Sequence, residues 1–461
     1  MTIDCLAFRI PSLWKPEIKP RSHPIGPLKM NILIVGSGGR EHAMAWKVAQ
    51  SPRVDRVFVA PGNAGTQQDA ENVDIAATDI PALMKFAKEN QIAFTIAGPE
   101  VPLCEGLTDA FKAEGLHVFG PSKEAAALEG SKIFCKKVMR NADVPTADFH
   151  EFRDAEGAER FINERYFETP EDVPLVVKAD GLAAGKGAIV CSTRDEALEA
   201  IDIIARQKQF GAAGDKLIIE DRLEGFEASI LAITDGKTIL TLPPAEDHKR
   251  AHDGDLGPNT GGMGAYCPTP SIEDETLRWV ESNVLVPTVH AMKRQRTPFL
   301  GILYAGLMMT PQGPKVLEYN VRFGDPECQP LLFRLKTDLV DIIEATCERR
   351  LSSIGPLEWD DRPSVCVVMA SGGYPDKYET GKVIRGLEEA AKIPDVKVFH
   401  AGTKMDAEGN VVTTGGRVLG VTAMGDSVAT AKLQAYKAVK CIRWDGAWCR
   451  KDISDKAMIG R

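Results

Sequence analysis

Glu318, Asn320 and Arg322 alternate along a predicted strand, EYNVR, so their side chains should share one face. A carboxylate beside an amide oxygen suits Mg²⁺, which binds few protein groups and keeps phosphate oxygens and water as its other ligands. Arg322 would then lie where it could meet an anionic substrate or a developing acyl phosphate. An edge strand with a polar solvent-facing side would show the same pattern, so this segment alone does not establish a metal site.

A glycine-rich segment, KADGLAAGKG, begins at Lys178. It is not a Walker A motif, because only three residues separate Gly181 from Gly185 and because Gly187 stands where Ser or Thr is required. Predicted strands on both sides make it a hairpin loop. Such a loop can fold over a triphosphate, donate backbone N–H groups and bring the charges of Lys178 and Lys186 close. A plain glycine turn with exposed lysines is the alternative.

A dense polar cluster, EDHKRAHDGD, starts at Glu246. Within it, His248 and His252 have the i, i+4 spacing of a helical zinc site. Two prolines directly before the cluster and glycines within and after it disfavour a helix. We therefore expect a loop that lines a polar substrate site, with zinc binding as the less favoured alternative.

The stretch Gly36–Glu41, GSGGRE, follows a predicted strand and opens a predicted helix. Closely spaced glycines there allow backbone N–H groups to approach an anion at the helix N-terminus. A dinucleotide fingerprint would have a third glycine where Glu41 stands, and an acidic residue after the next strand, where the chain has APGN. A phosphate-bearing substrate is therefore favoured over NAD, and a purely structural turn is the alternative.

These segments need a framework of several domains. The 461 residues predict about three domains, each with its own core. From Asn31 to about residue 119, strands alternate with helices, which predicts a doubly wound parallel sheet. Hairpin signals from about residue 175 to 321, such as Asp235-Gly236, predict antiparallel α+β structure. A further α+β region begins near residue 355.

Composition excludes several classes of protein. The chain is 44% hydrophobic and 26% charged, which fits neither disorder nor a fibrous protein. A net charge of −9 without a basic stripe argues against nucleic-acid binding. The ten cysteines include no C-x-x-C pair, and no apolar run approaches the ~18 residues of a membrane span. We expect a cytoplasmic protein with no nucleic-acid or membrane partner.

The first 29 residues differ from the rest of the chain. They contain five prolines and no apolar stretch that could serve as a signal-peptide core. We expect a disordered extension or a mis-assigned translation start, with the fold beginning at Met30.

Together, the motifs resemble one known family. They occur in a single order from Met30 to the C-terminus, at residues 36–42, 61–66, 98–100, 178–187, 247–255, 257–266, 322–327, 368–375 and 398–403. Through them the chain is similar to the glycinamide ribonucleotide synthetases of the ATP-grasp superfamily. Glu246 departs from the family pattern, which has a glutamine there, and Ala127-Leu128-Glu129 is a slightly altered lead-in to Gly130-Ser131-Lys132.

The resemblance implies an activity and roles for particular residues. ATP, with Mg²⁺ or Mn²⁺, would convert glycine to glycyl phosphate, and 5-phosphoribosylamine would displace phosphate to give glycinamide ribonucleotide for purine synthesis. Implied ATP ligands are Lys136, Lys178, Gly181, Gly185, Lys186, Gly187, Glu220, Leu223 and Glu227. Implied metal ligands are Glu318 and Asn320. Implied catalytic residues are Arg322, Asp247 and Lys178, and implied substrate ligands are Gly38, Gly39, Asn63, Glu100, Asp247, Arg322, Gly324 and Asp325.

The resemblance also implies a division of the chain. Residues 30–131 would form a Rossmann-like substrate domain, 132–355 an ATP-grasp domain with a small lid at about 150–222, and 356–461 a C-terminal domain. We expect a monofunctional enzyme that is a monomer or weak homodimer. Three alternatives stay open: another ATP-grasp carboxylate–amine ligase, which should lack the 257–266 motif, a nicotinamide-dependent oxidoreductase, and a non-catalytic nucleotide sensor.

Overall fold

The structure is a computed structural model that describes residues 29–168, 174–183 and 186–458. The predictions for residues 1–28 and for Gly185 lie outside the described residues. Across the described part of the chain, no helix combines the length and apolarity needed to cross a membrane.

The first region contains a five-stranded parallel sheet with strand order β3-β2-β1-β4-β5. Its strands are β1 Met30–Gly36, β2 Val54–Pro61, β3 Glu71–Asn72, β4 Ile92–Ala97 and β5 Val118–Phe119. Its helices are α1 Gly39–Val48, α2 Ile80–Glu89, α3 Glu100–Glu105, α4 Leu107–Ala113 and α5 Lys123–Gly130. The apolar run Ile32–Val35 is fully buried, as expected of a central strand between two helical layers. The predicted doubly wound parallel sheet is confirmed.

A four-stranded antiparallel sheet with order β6-β9-β7-β8 follows. Its elements are α6 Lys132–Asn141, β6 Phe149–Phe152, α7 Ala155–Glu168, β7 Leu175–Ala179, β8 Ala188–Cys191, α8 Arg194–Ile201 and β9 Leu217–Asp221. Strands β7 and β8 pair from Leu175–Cys191 to Lys178–Ala188, so the glycine-rich segment joins two antiparallel strands. The predicted hairpin is confirmed.

The next sheet has the order β11-β10-β16-β17. The strands of this part of the chain are β10 Phe226–Thr234, β11 Ile239–Thr241, β12 Glu246–Asp247, β13 Arg250–His252, β14 Leu256–Asn259, β15 Gly264–Cys267, β16 Gly301–Thr310 and β17 Gly313–Asn320, with helices α9 Asp274–Val280 and α10 Val286–Arg294. The prediction that Arg322 continues strand β17 is wrong. The strand ends at Asn320 because the N–H of Val321 donates to Glu129 Oε2 (2.7 Å) instead of to a neighbouring strand.

The last sheet, β12-β15-β18-β22-β19, combines strands from the middle and the end of the chain. Its remaining elements are α11 Cys328–Arg334, α12 Leu339–Cys347, β18 Ser364–Ala370, α13 Leu387–Ala391, β19 Val396–His400, β20 Thr403–Met405, β21 Val411–Thr413, β22 Arg417–Met424 and α14 Val428–Val439. The cluster that starts at Glu246 is therefore not simply a loop. Its first two residues pair with β15 at the sheet edge, and β13 and β14 form a short hairpin.

A buried polar cluster joins the first region to the last. The backbone N–H of His400 donates to His42 Nδ1 (2.8 Å), and His42 Nε2 lies 3.1 Å from Asp69 Oδ2. Lys397 Nζ contacts the same carboxylate oxygen at 2.8 Å. Burial lowers the pKa of both imidazoles, and that of His400 falls to about 3. The junction therefore depends on neutral histidines.

We expect His400→Gln to weaken the pH dependence of folding stability. The pKa of His400 is about 3 in the folded protein and 6.5 for a free imidazole, so the unfolded state binds more protons between these values. The stability contributed by neutral His400 is complete above pH 6.5 and is lost as the pH falls. Urea unfolding below pH 6 should show the wild type losing about 1.4 kcal/mol per pH unit more than the variant. Equal slopes would contradict a buried neutral His400.

Candidate active site

Two predicted phosphate-binding lysines meet at one carboxylate. Glu220 lies on β9 and is almost fully buried. Its Oε2 contacts Lys178 Nζ on β7 at 2.9 Å and Lys136 Nζ on α6 at 3.1 Å. Lys178 Nζ also donates to the carbonyl of Leu317 (3.4 Å), which precedes Glu318 on β17. The second sheet thereby brings both ammonium groups beside the strand that carries the predicted metal ligands.

The charges of this lysine pair are not fully balanced within the protein. Burial opposes the charge on Lys178, but Glu220 and Glu318 together raise its pKa, so its ammonium form persists. Burial and the charge of Lys178 lower the pKa of Lys136, against the opposing effect of Glu220. Glu220 Oε1 is buried and has no hydrogen-bond partner among the described residues. Two ammonium groups thus share one oxygen of Glu220, and their binding of phosphate stays a prediction.

Glu318 and Asn320 lie two residues apart on β17 and share one face of the strand. Burial raises the pKa of Glu318, but the cations that surround it, led by Lys249 and Lys178, bring it below the usual value. Asn320 Oδ1 accepts a hydrogen bond from Arg322 Nη2 (3.1 Å). An ionised carboxylate and an amide oxygen fit Mg²⁺, which takes its other ligands from phosphate and water. In the described residues, no group of three or more His, Cys, Asp or Glu could hold a metal by itself.

Arg322 lies between two acidic residues. Its Nε contacts Glu100 Oε2 at 3.1 Å, and its Nη2 contacts Glu129 Oε1 at 3.0 Å. Burial raises the pKa of Glu129 to about 7, although the charge of Arg322 opposes this shift. Glu100 and Arg322, each predicted as a substrate ligand, are thus in direct contact. Glu129 was not predicted, since nothing in its local sequence signals an ion pair with a residue this far along the chain.

Asp247 occupies the edge of the last sheet, near Glu327. Its Oδ1 is buried and has no hydrogen-bond partner in the described part of the chain. Burial and the charge of Glu327 raise its pKa well above the usual value, against the charges of Lys249 and Arg417. Lys249 Nζ is held by the predicted ATP ligand Glu227, at 2.6 Å from its Oε2. Asp247 is thus a buried acidic side chain with one oxygen that has no partner among the described residues.

Two glycines allow these carboxylates their positions. A Cβ on Gly262 would lie 2.7 Å from Asp247 Oδ1 and 2.5 Å from Pro326 Cδ. A Cβ on the predicted site residue Gly324 would overlap Glu327 Oε2. Any larger residue at either position would displace an acidic side chain.

We expect Gly262→Ala to lower kcat/KM for the carboxylate substrate about 100-fold, because displacing Asp247 by about 1 Å disturbs the reacting geometry. Gly409→Ala is the matched control. Gly409 also has a positive φ (+82°, against +110° for Gly262), but a Cβ there meets no atom within 4 Å. Initial rates for both variants test the expectation. Equal activity of the two would show that the space beside Asp247 is not required.

A cleft of about 400 Å³ lies between the first and last regions. It is lined by Ser37, Gly38, Pro61, Gly62, Asn63, Asp325, Tyr374, Ala401, Gly402, Thr403, Thr414 and Arg417. Arg417 Nη1 donates to the carbonyl of Asp325 (2.6 Å), and its Nη2 lies 3.8 Å from Asp325 Oδ2. The cleft joins predicted Gly38, Asn63 and Asp325 to a C-terminal lining that was not predicted.

Part of the glycine-rich loop before α1 has a structural purpose. The Gly38 N–H donates to Glu41 Oε2 (2.5 Å), so Glu41 caps the helix where a fingerprint glycine would stand. A Cβ on Gly36 would lie 2.7 Å from Glu41 Cγ, and one on Gly39 would lie 2.6 Å from Gln329 Nε2 on α11. These glycines make room for Glu41 and for helix packing, and the amide of Gly38 is already used.

Asn63 organises the same loop. Its Nδ2 donates to the carbonyls of Ser37 and His400 (2.9 Å each), while its Oδ1 accepts from the N–H groups of Gly65 (2.8 Å) and Thr66 (3.0 Å). These bonds use the full capacity of a side-chain amide. A direct bond from the Asn63 side chain to substrate stays a prediction. In the structure, this side chain fixes the shape of the loop.

The remaining predicted ATP residues are spread over the hairpin and the hinge. Lys186 Nζ donates to the carbonyl of Pro375 (3.1 Å), in the last region. A Cβ on Gly181 would lie 2.6 Å from Ala213 Cβ, and one on Gly187 would lie 2.5 Å from Ala183 Cβ, so both glycines allow close approach. Leu223 is half-buried in the connection from β9 to β10.

The two histidines of the polar cluster face different partners. His248 Nε2 accepts from the N–H of Ser454 (3.2 Å), whereas the ring of His252 packs against Trp448 at 5.9 Å. The structure gives the zinc alternative no support.

Fold and site together define an ATP-grasp enzyme, in which the sheets β6-β9-β7-β8 and β11-β10-β16-β17 bring buried lysines beside acidic side chains. Biotin carboxylase from Campylobacter jejuni, in a complex named with β-γ-ATP, has a TM-score of 0.70 over 91% of this chain and 92% of that chain. At 14% identity this likeness shows the fold alone.

The chain belongs to the phosphoribosylglycinamide synthetase family. Models of the family's N domain, ATP-grasp (A) domain and C domain match residues 30–129, 130–328 and 364–456. The phosphoribosylamine–glycine ligase of Rhodopirellula baltica is 66% identical over 94% of this chain and 98% of its own length. That of Escherichia coli K12 is 49% identical over 93% and 99%. The structure of the Thermotoga maritima ligase has a TM-score of 0.79 at 32% identity, over 92% of this chain and 100% of its own.

These matches confirm the predicted family, fold class and enzyme class, an ATP-dependent ligase. They do not favour another ATP-grasp ligase, because all three family-specific domains occur in order.

Proposed function

We propose that this chain joins glycine to 5-phosphoribosylamine at the expense of ATP, giving glycinamide ribonucleotide, ADP and phosphate in purine synthesis. The observation that carries the proposal is the convergence of Lys136 and Lys178 on Glu220, with Glu318 close to both Lys178 and Arg322. The names of the relatives, phosphoribosylamine–glycine ligases, support the same substrates.

ATP binds between the lid sheet and β17. Lys136 and Lys178 hold its phosphates, and the backbone of Gly181 and Gly187 closes over them with Lys186. Glu220 and Leu223 form the adenine hinge, where the unpartnered Glu220 Oε1 can accept from an amino group, and Glu227 accepts from the ribose. Mg²⁺ or Mn²⁺, held by Glu318 and Asn320, neutralises charge on the phosphates when bound.

Glycine binds near Asp247, while Arg322 and the turn at Gly324 and Asp325 hold the carboxylate end. A glycine carboxylate oxygen attacks the γ-phosphorus and ADP leaves, which forms glycyl phosphate. Lys178 stabilises the charge on the transferring phosphoryl group. Carboxylate activation is required because an unmodified carboxylate is a poor acyl donor.

The sugar amine occupies the cleft between the first and last regions. Gly38 and Asn63 line the cleft, Gly39 follows Gly38 at the start of α1, and Glu100 holds Arg322 through an ion pair of 3.1 Å. The amine attacks the carbonyl carbon of glycyl phosphate, phosphate leaves with one former carboxylate oxygen, and the amine loses a proton. The amide product then carries the ribose phosphate.

Phosphate release from ATP tests this proposal, with glycine and freshly generated phosphoribosylamine each added or withheld. We expect turnover only when both are present. Turnover with another acid in place of glycine, or without the sugar amine, would retain the ligase chemistry and overturn the proposed substrates.

We further propose a cytoplasmic monomer or weak homodimer, with domain boundaries near residues 131 and 355 and a lid at about 150–222. The cysteines in the described part of the chain are all free, which suits a reducing compartment.

A further inference from the structure

Residues 450–456, which follow the last helix, are tied to the β13–β14 hairpin. The side chain of Arg450 is fully buried. Its guanidinium donates to Asp255 Oδ1 (3.0 Å) and to the carbonyl of Arg250 (2.9 Å), at opposite ends of the hairpin turn. Both oxygens of Asp452 hold the other side of the guanidinium, at 2.8 and 2.7 Å. One buried cation therefore organises both segments.

Backbone groups extend this connection. The N–H of Gly254 donates to Asp452 Oδ2 (2.8 Å), and the N–H of Lys451 donates to Asp253 Oδ1 (2.8 Å). In the first bond the hairpin is the donor, and in the second bond residues 450–456 supply the donor. Strand β13 and the turn of the hairpin are thus fixed to residues 450–452.

The same contacts reach the active site. Ser454 N–H donates to His248 Nε2 (3.2 Å), and His248 stands between Asp247 and Lys249 in the sequence. Lys249 in turn contacts Glu227 (2.6 Å). A shift of the hairpin would therefore move the two side chains that flank His248.

We propose that Arg450 is a positioning residue for glycine activation, which acts by fixing the hairpin that directly follows Asp247 and Lys249 in the chain. The inference rests on the proposed assignment of Asp247 to glycine. Loss of the guanidinium would leave Asp255 and Asp452 close together without their shared cation. The end of the third domain would in this way control chemistry in the second.

Arg450→Met tests the proposal, with Arg362→Met as the matched control, since Arg362 also pairs with two acidic residues (Asp360 and Asp395, 3.1 Å each) but does not touch the hairpin. Rates are measured well below the melting temperature with glycine varied. We expect Arg450→Met to lower kcat/KM for glycine about 100-fold, as a displacement near 1 Å would. Arg450→Lys should retain part of the activity that Arg450→Met loses. Arg362→Met should keep kcat/KM for glycine within about twofold of the wild-type value.

Amide hydrogen exchange over residues 247–259 should accelerate in Arg450→Met and not in Arg362→Met. A folded Arg450→Met enzyme with wild-type kcat/KM for glycine would overturn the proposal. If Arg450→Met does not fold, Lys456→Met tests the proposal instead, because it removes a 2.6 Å ion pair to Asp255. We expect Lys456→Met to lower kcat/KM for glycine about fivefold. An unchanged kcat/KM would overturn the proposal.

Asp247→Asn, assayed in parallel, separates the two levels of inference. Unchanged kcat/KM for glycine in Asp247→Asn would overturn the glycine assignment and, with it, the role of Arg450. If Asp247→Asn lowered kcat/KM for glycine while Arg450→Met kept the wild-type value, only the positioning role of Arg450 would be overturned.

Discussion

Glu318→Gln is expected to lower kcat about 1,000-fold while the protein stays folded. Glutamine keeps the size and the oxygen of glutamate but removes the negative charge. That charge is surrounded by cations, Lys249 and Lys178 foremost, which lower the pKa of the carboxyl and keep it ionised. Without it, the divalent cation loses its one anionic protein ligand among the residues proposed for it, and the lysines lose a counter-charge.

Steady-state rates at saturating ATP and circular dichroism provide the measurement for this variant. Glu114→Gln is the control, because it removes an exposed ion pair with Lys88 on the surface of the first region. We expect it to keep wild-type kcat. Near-normal turnover in Glu318→Gln would show that the cation is bound elsewhere.

Lys178→Met is expected to lower kcat/KM for ATP about 100- to 1,000-fold, as the loss of a charge aimed at a transferring group does. Its Nζ is buried, ionised, and placed between Glu220 and the backbone before Glu318. Methionine fills the same space without the charge. ATP-dependent rates with glycine and the sugar amine held constant provide the measurement.

Two further variants separate chemistry from stability at this position. Lys137→Met replaces a lysine on the same helix as Lys136, where it forms an exposed ion pair with Glu151, and should be fully active. Lys178→Met combined with Glu220→Gln also removes the buried carboxylate that Lys178→Met deprives of one of its two lysine partners. If the double variant regained wild-type kcat/KM, the loss in Lys178→Met would be structural, and the phosphate role would be wrong.

Local patterns in the sequence were sufficient for most of the framework. The run Ile32–Val35 has to be a buried strand because it offers no polar face. The segment from Lys178 to Gly187 has to be a hairpin loop because two short apolar runs flank it too closely for a helix. Periodicity and turn chemistry act over a few residues, so one sequence suffices to predict them.

Contacts between distant residues were beyond such patterns. Strand β17 ends early because Glu129 takes the N–H of Val321, 192 residues away. The polar cluster that starts at Glu246 joins a sheet whose centre lies more than a hundred residues further along the chain. Neither partner carries a local signal of the pairing.

The same limit applies to the site. Residue types and resemblance led to Lys178, Glu220 and Glu318, which the fold does bring together. Glu129 and Arg417 were missed, because a buried charge becomes functional only through the partner that the fold supplies. Several loop glycines near Gly38, predicted as phosphate ligands, also have a packing reason that only coordinates reveal.

Transfer of oxygen from glycine to phosphate tests the central proposal most directly. Glycine labelled with ¹⁸O in its carboxylate is turned over with ATP and phosphoribosylamine, and the released phosphate is analysed by mass spectrometry. A glycyl phosphate intermediate predicts one ¹⁸O atom in each phosphate, because the oxygen that attacks the γ-phosphorus leaves with it. Unlabelled phosphate would mean that glycine is never phosphorylated and would contradict the proposed ligase mechanism.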